Sequence, residues 1–309
     1  MKNELREIQE VEKAKEKTVN PSRVAAFFDL DGTLLAQPSM ERRFFSILRS
    51  RGEISWRNCL LWLKEAARLA PRGIQEMLQT NKMYLRGVRE IAEWDAEASE
   101  IFPARTSGHQ GMGQEPTSVG GVPGFSRRDP RLPVPVFFPE GVARVAWHAR
   151  EEHAIVLLSG TLEPLAKEVA RELEAELATR GVVTAIRTCA TWLEAKNGRW
   201  TGRISGEAMF GEEKARAIRR VAVAMNLDLA RCFAYGDSAV DAPMLQAVGN
   251  AFAANPSKEL GRIAEERGWP AVQWNGEKRS TQRAQSAQST QSEAGNRRAI
   301  EEAASGSFR

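Results

Sequence analysis

Four short apolar runs stop abruptly at small or polar turn residues: Val24 to Phe28, Ala154 to Leu158 before Ser-Gly, Cys232 to Tyr235 before Gly-Asp, and Ala251 to Ala253 before Asn-Pro. Runs that are apolar throughout, rather than alternating, are those of strands buried on both faces. Between them, Glu163 to Arg180 and Glu212 to Met225 carry apolar residues every three or four positions, the period of a helix with one buried face. Strands alternating with helices predict an α/β fold built on a parallel sheet covered on both sides. In such a sheet ligands bind at the carboxyl ends of the strands.

Residues 41–103 break this rhythm. Glu41 to Arg51, Trp56 to Ala70 and Ile74 to Phe102, the last in one or more pieces, read as consecutive helices with no strand between them. A helical block placed directly after the first strand predicts a cap domain inserted into the sheet domain, the usual construction of an active-site lid. The expected organisation is then a charged N-terminal extension (1–20), a core (21–40 and 136–274), a helical cap (41–103), a flexible Gly/Pro-rich insert (104–135) and a disordered tail (275–309). The basic amphipathic stretch Trp56 to Arg72 is expected to pack its apolar side on neighbouring cap helices rather than on a membrane surface. Trp56, Trp62 and Trp94 are assigned to cap packing, with the lining of a substrate pocket in the cap as the alternative.

Charge changes little. The formal net charge is +4 over 309 residues, but residues 104–135 hold four Arg against Glu115 and Asp129, and residues 275–309 hold six Lys/Arg against four Glu. The remainder is near neutral, so a nucleic-acid partner is not expected. Cys59, Cys189 and Cys232 are widely spaced and form no CxxC pair, which fits buried free thiols in a reducing compartment. The first twenty residues are densely charged without an apolar stretch, so no secretory signal is visible and a cytoplasmic location is expected. The early apolar cluster Cys59 to Leu63 falls far short of the roughly 20 residues needed to span a bilayer, and stable membrane insertion is not expected.

The chemistry sits at the strand ends: Asp29 and Asp31 in FFDLDGTLL, Ser159 in LLSGT, Asp237 and Asp241 in GDSAVDAPML, with Lys214 opening a helix in GEEKARAI. A carboxylate at a strand terminus can attack phosphorus, and a second two residues on can serve the leaving oxygen if Gly32 lets the backbone turn between them. Nucleophile and phosphate are both anionic, so a divalent cation has to bridge them, and hard oxygen donors suit Mg2+. Asp237 is placed to complete such a site, Lys214 to offset remaining charge, and Ser159 to donate to a phosphoryl oxygen. Taken singly, each motif has a plain structural explanation as a turn, a helix cap or a surface lysine. Their order, the apolar run before the strand-end motifs, and the spacing together point to one site.

These motifs resemble those of the haloacid dehalogenase superfamily over roughly Arg23 to Trp274, with FFDLDGTLL, LLSGT, Lys214 and GDSAVDAPML as its first to fourth motifs. The resemblance implies a Rossmann-like parallel sheet core with an inserted helical cap, an aspartyl-phosphate intermediate on Asp29, and general acid/base catalysis by Asp31. It implies Mg2+ held by Asp29, the Asp31 backbone carbonyl and Asp237, with Asp241 behind them, and a phosphate bound by Gly32, Thr33, Ser159, Gly160 and Lys214. The helical insertion and the YGDSxxDxPML form of the fourth motif look most like the phosphoserine-phosphatase-like subfamily.

The expected function is Mg-dependent hydrolysis of a small phosphate ester. Phosphoryl transfer by the same residues and a catalytically silent binding protein are the alternatives. Dehalogenation leaves Asp31 without a role. Phosphoserine itself is expected to be a poor substrate: enzymes of that specificity carry a glutamate nine residues after the nucleophile, where this chain has Pro38, although Glu41 stands three residues further on and could substitute, while Arg42 and Arg43 beside it would instead favour a substrate with a second anionic group. Nothing in the sequence speaks to oligomeric state.

Overall fold

The computed structural model describes residues 23–91 and 129–274. The N-terminal extension, most of the 104–135 insert, Trp94 and the tail lie outside the described residues.

Strand β1 (Ala25–Phe28) lies inside a six-stranded sheet with β2 (Ala154–Leu162), β3 (Ile186–Thr191), β6 (Phe233–Gly236), β7 (Asn250–Ala254) and β8 (Ala271–Val272) in the order β3-β2-β1-β6-β7-β8. Every neighbouring pair is parallel. The chain therefore winds outward from β1 to β3 and then crosses to the other side at β6, which puts a topological switch point between β1 and β6. Because successive strand residues point to opposite faces, Ala26, Phe28, Ile155 and Leu157 enter one core, while Ala25, Phe27, Val156 and Leu158 enter the other. Helices α4 (Pro139–Arg150), α5 (Glu163–Thr179), α6 (Glu212–Met225), α7 (Ala242–Gln246) and α8 (Lys258–Arg267) accompany the strands.

Between β1 and α4 come helices α1 (Met40–Ser50), α2 (Trp56–Leu69) and α3 (Ile74–Thr80). Helix α1 starts where the Ser39 hydroxyl accepts from the Arg42 amide, and it buries Met40, Phe44 and Leu48, one residue per turn. Residues 81–91, expected to be helical, are not. After α3 there is one 3-10 turn (Met83–Leu85), and Gly87 takes a positive φ of 80°. The chain then runs beside a hairpin that the apolar pattern did not predict, β4 (Leu193–Lys196) and β5 (Arg199–Ile204). Gly87 N–H donates to Trp200 O at 2.8 Å, and Trp200 N–H donates to Val88 O at 2.9 Å.

Helix α2 also departs from expectation. Its apolar stripe is not packed away: Trp56, Leu60 and Leu63 are exposed, and its buried residues are Asn58 and Leu69. The Asn58 amide holds the helix down by donating to Arg86 O at 2.7 Å. All three cysteines are free, but only Cys189 and Cys232 are buried; Cys59 is exposed on α2. No helix among the described residues is long and apolar enough to cross a membrane.

Candidate active site

Adjacent strands β2, β1 and β6 deliver Ser159, Asp29 and Asp237 to the same end of the sheet. The pairing of Phe28 with both Leu157 and Tyr235 sets that alignment, and the Asp29 amide extends it by donating to Tyr235 O at 2.9 Å. Lys214, the third residue of α6, reaches in from the side. Its Nζ lies 2.5 Å from Asp29 Oδ1 and 2.6 Å from Asp241 Oδ1. Asp241 Oδ2 accepts from the Ser238 amide at 3.1 Å and the Ser238 hydroxyl at 2.9 Å. Both Asp241 oxygens are thus engaged by protein donors, which fits a supporting position.

Gly32 is required twice over. Its φ is 92°, where L-residues are strained, and a Cβ there would sit 2.2 Å from Asp237 Oδ2. Buried Thr33 makes a long contact of 3.5 Å from Oγ1 to Asp237 Oδ1. Asp31 Oδ1 accepts from the Met40 amide at 2.8 Å, at the first residue of α1, so the first strand's loop is tied to the start of the helical insertion. On β2, Ser159 Oγ accepts from the Thr161 amide at 3.2 Å. The neighbouring Gly160 has no room for a side chain, since a Cβ would meet the Phe210 ring at 1.9 Å.

Two supporting residues were not anticipated. Thr191 Oγ1 donates to Gly160 O at 2.9 Å and accepts from the Met209 amide at 3.1 Å. Asn255 donates from its side-chain amide to Gly32 O at 3.0 Å while its Oδ1 accepts from the Trp274 amide at 2.6 Å. Asn255 had a visible signal, an Asn-Pro following a strand, and it holds a positive φ of 47°. Thr191 had none.

The electrostatics are those of an incomplete charge set. Asp29, Asp237 and Asp241 bring ligand oxygens within 4.8 Å of one another. Against these three carboxylates, among the described residues, stands the ammonium of Lys214, which leaves the largely buried cluster with a formal excess of two negative charges. Burial, then repulsion from Asp241, pushes Asp237 up to about 7. Burial and repulsion by Asp241 and Asp237 raise Asp29 against the pull of Lys214. Burial pushes Asp31 up to about 6, opposed by the Met40 amide. Burial works against the charge of Lys214, but Asp241 and Asp29 outweigh it and its pKa rises. A hard divalent cation fits this all-oxygen, over-negative cluster.

Above the cluster lies a cavity of about 1010 Å³, bounded by Asp29, Asp31, Ser159, Gly160, Lys214, Asp237 and Asp241 on the sheet side and by residues of α1, α2 and the 3-10 turn on the other. Of the tryptophans for which the sequence left cap packing and pocket lining as readings, Trp62 lines it and Trp56 does not.

Residues 26–246 match the haloacid dehalogenase-like hydrolase family. The chain belongs to this family. It is 28% identical over 265 residues to a probable phosphatase of Mycobacterium tuberculosis, covering 84% of this chain and 78% of that protein. It is 31% identical over 255 residues to a phosphoserine phosphatase of the same organism, covering 79% and 69%. Among solved structures, a Bordetella pertussis protein of unknown function shares the fold, with a TM-score of 0.53 and 24% identity over 82% of this chain and 99% of that one. The chain is thus a HAD-type phosphatase, and within the family it stands with the phosphoserine-phosphatase-like members, as its motifs and helical insertion imply.

Proposed function

We propose that this chain hydrolyses phosphate monoesters through an aspartyl phosphate on Asp29, with Mg2+ as cofactor. The observation that carries the proposal is the Asp29 carboxylate at the end of β1, with Oδ1 taken by Lys214 and Oδ2 without a protein partner among the described residues, in a cavity whose acidic cluster is two positive charges short. Bound there by Asp29, Asp237 and the Asp31 backbone carbonyl, Mg2+ would supply the charge that lets an anionic carboxylate meet an anionic phosphate.

The chain's own residues do the rest. Asp29 attacks phosphorus while Asp31 gives its proton to the departing ester oxygen; a water then attacks the acyl phosphate and its proton passes back to Asp31. A carboxyl raised to about 6 can hold that proton near neutral pH and release it again. Ser159 and Gly160 line the cavity, where the Ser159 hydroxyl and the Gly160 amide would donate to phosphoryl oxygens. Lys214 favours the ionised form of Asp29 against the effect of burial and orients it through its contact at 2.5 Å.

The purified protein should release phosphate from an aryl phosphate when Mg2+ is present and stop when the ion is chelated, and Asp29→Asn should lose this activity while keeping its fold. Undiminished turnover by folded Asp29→Asn protein, or full activity in chelator, would refute the proposal.

A further inference from the structure

We infer that the group carried by the substrate's phosphate is apolar, so that the enzyme takes an amphiphilic alkyl or aryl phosphate monoester. This rests on the phosphatase reading of the same cavity and concerns the apolar part of its lining. Phe45 of α1, Trp62 and Leu63 of α2, and Phe210 and Val240 from the core side all line the cavity, with Phe210 beside Gly160. Of the charged residues that the helical side adds to the lining, Glu41 and Lys82 are paired with each other, and Arg42 is the third. Lys82 Nζ lies 2.6 and 2.7 Å from the two Glu41 oxygens, and Tyr84 donates to Glu41 at 2.5 Å. A sugar or amino-acid phosphate would need several donors and acceptors placed around it, because each polar group buried without a partner weakens binding. On the helical side Ser39, Arg42 and Gln79 are the polar side chains left for that task, beside the apolar Phe45, Trp62 and Leu63.

Size points the same way. A space of about 1010 Å³ is at the upper end of small-ligand sites and leaves most of its volume empty around a three-carbon phosphate. The apolar surface also continues outward. Leu63 both lines the cavity and is 56% exposed, and Leu60 and Trp56, one and two turns earlier on α2, are 53% and 69% exposed. An apolar chain leaving the cavity past Leu63 would cover side chains that otherwise stand in water.

The test is a homologous series. Linear alkyl phosphates from ethyl to octyl, kept below their micellar concentrations with Mg2+ present, should show kcat/KM rising roughly two- to fourfold per methylene, the range between half and full burial. Octyl phosphate should exceed butyl phosphate at least tenfold. Trp62→Ala and Leu63→Asp should each reduce the octyl-to-ethyl ratio at least fivefold. In parallel, calorimetry of the wild-type protein with non-hydrolysable alkylphosphonates should show Kd falling with chain length by the same factor. A flat series in both turnover and binding, or glycerol phosphate preferred tenfold over octyl phosphate, would overturn the inference and leave the phosphatase reading standing. No turnover of any ester, with phosphonate binding still strengthening along the series, would refute the phosphatase reading and leave the apolar site.

Discussion

At the scale of single residues, the site depends on positions with no alternative occupant. Gly32 is held by backbone conformation and by the Asp237 carboxylate against it, and Lys214 by two carboxylates at once. His148 shows the same economy away from the chemistry. It is buried on α4, with Nε2 2.9 Å from the Tyr235 hydroxyl and Nδ1 2.9 Å from His153 Nδ1. Burial, with His153 and Arg144 nearby, pushes His148 down to about 3 from its ordinary 6.5. A histidine whose pKa is lower in the folded state favours folding fully above pH 6.5, and that contribution is lost as pH falls from 6.5 toward 3, by about 1.4 kcal/mol per pH unit. The raised carboxyls of the active site act in the opposite sense, so the net slope of the wild type mixes the two. The difference isolates the histidine: between pH 6.5 and 4.5, unfolding free energy measured in denaturant should fall less steeply for His148→Gln than for the wild type, by nearly one proton. Parallel slopes would mean that His148 already titrates in the folded protein.

At the scale of elements, what could be read in advance followed from burial. Strands β1, β2, β6 and β7 are nearly all apolar because both faces are covered, and they announced themselves. The β4–β5 hairpin has mostly exposed residues and no apolar run, although its Asn197-Gly198 turn, with φ of 54° and 70°, is a strong hairpin signal. Residues 81–91 were misread because their apolar spacing suits a helix, while the bonds that organise them come from β5, more than a hundred residues away. The pairing of Glu41 with Lys82 has the same origin in tertiary contact and no local signature. It bears on a question the sequence left open: both Glu41 oxygens are held by Lys82, so a substrate ammonium would have to compete with that cation for the carboxylate. Phosphoserine should therefore be used no better than glycerol phosphate. Lys82→Met should raise the phosphoserine-to-glycerol-phosphate ratio of kcat/KM at least fivefold. Its stability cost should stay below the about 3–5 kcal/mol of a fully buried broken pair, because Glu41 keeps partial contact with solvent. An unchanged ratio in a folded variant would show that Glu41 does not face the substrate.

At the scale of the whole molecule, the parallel order β3-β2-β1-β6-β7-β8 converts four separated motifs into one cluster, and it leaves that cluster with more negative charge than the protein itself balances. Millimolar Mg2+ should accordingly raise the Tm, since a ligand that binds only the folded state at 100 times its Kd adds about 2.7 kcal/mol. Asp237→Asn should show a much smaller rise, and a Tm indifferent to Mg2+ in the wild type would remove the metal from the account. The central claim is the covalent intermediate on Asp29, and leaving-group chemistry offers a direct way to see it. An aryl phosphate expels a stable phenolate that needs no proton, whereas breakdown of the acyl phosphate needs Asp31 to accept one from water, a service worth roughly 10² to 10⁴ in rate. In Asp31→Asn protein, phosphorylation should outrun hydrolysis and the intermediate should accumulate. The measurement is acid quenching of that variant during turnover of p-nitrophenyl phosphate with Mg2+, followed by peptide mass mapping. A phosphoryl group on the peptide bearing Asp29, released by mild alkali, is the predicted result; phenol release with that peptide unmodified, or with the phosphoryl group on another residue, would contradict it.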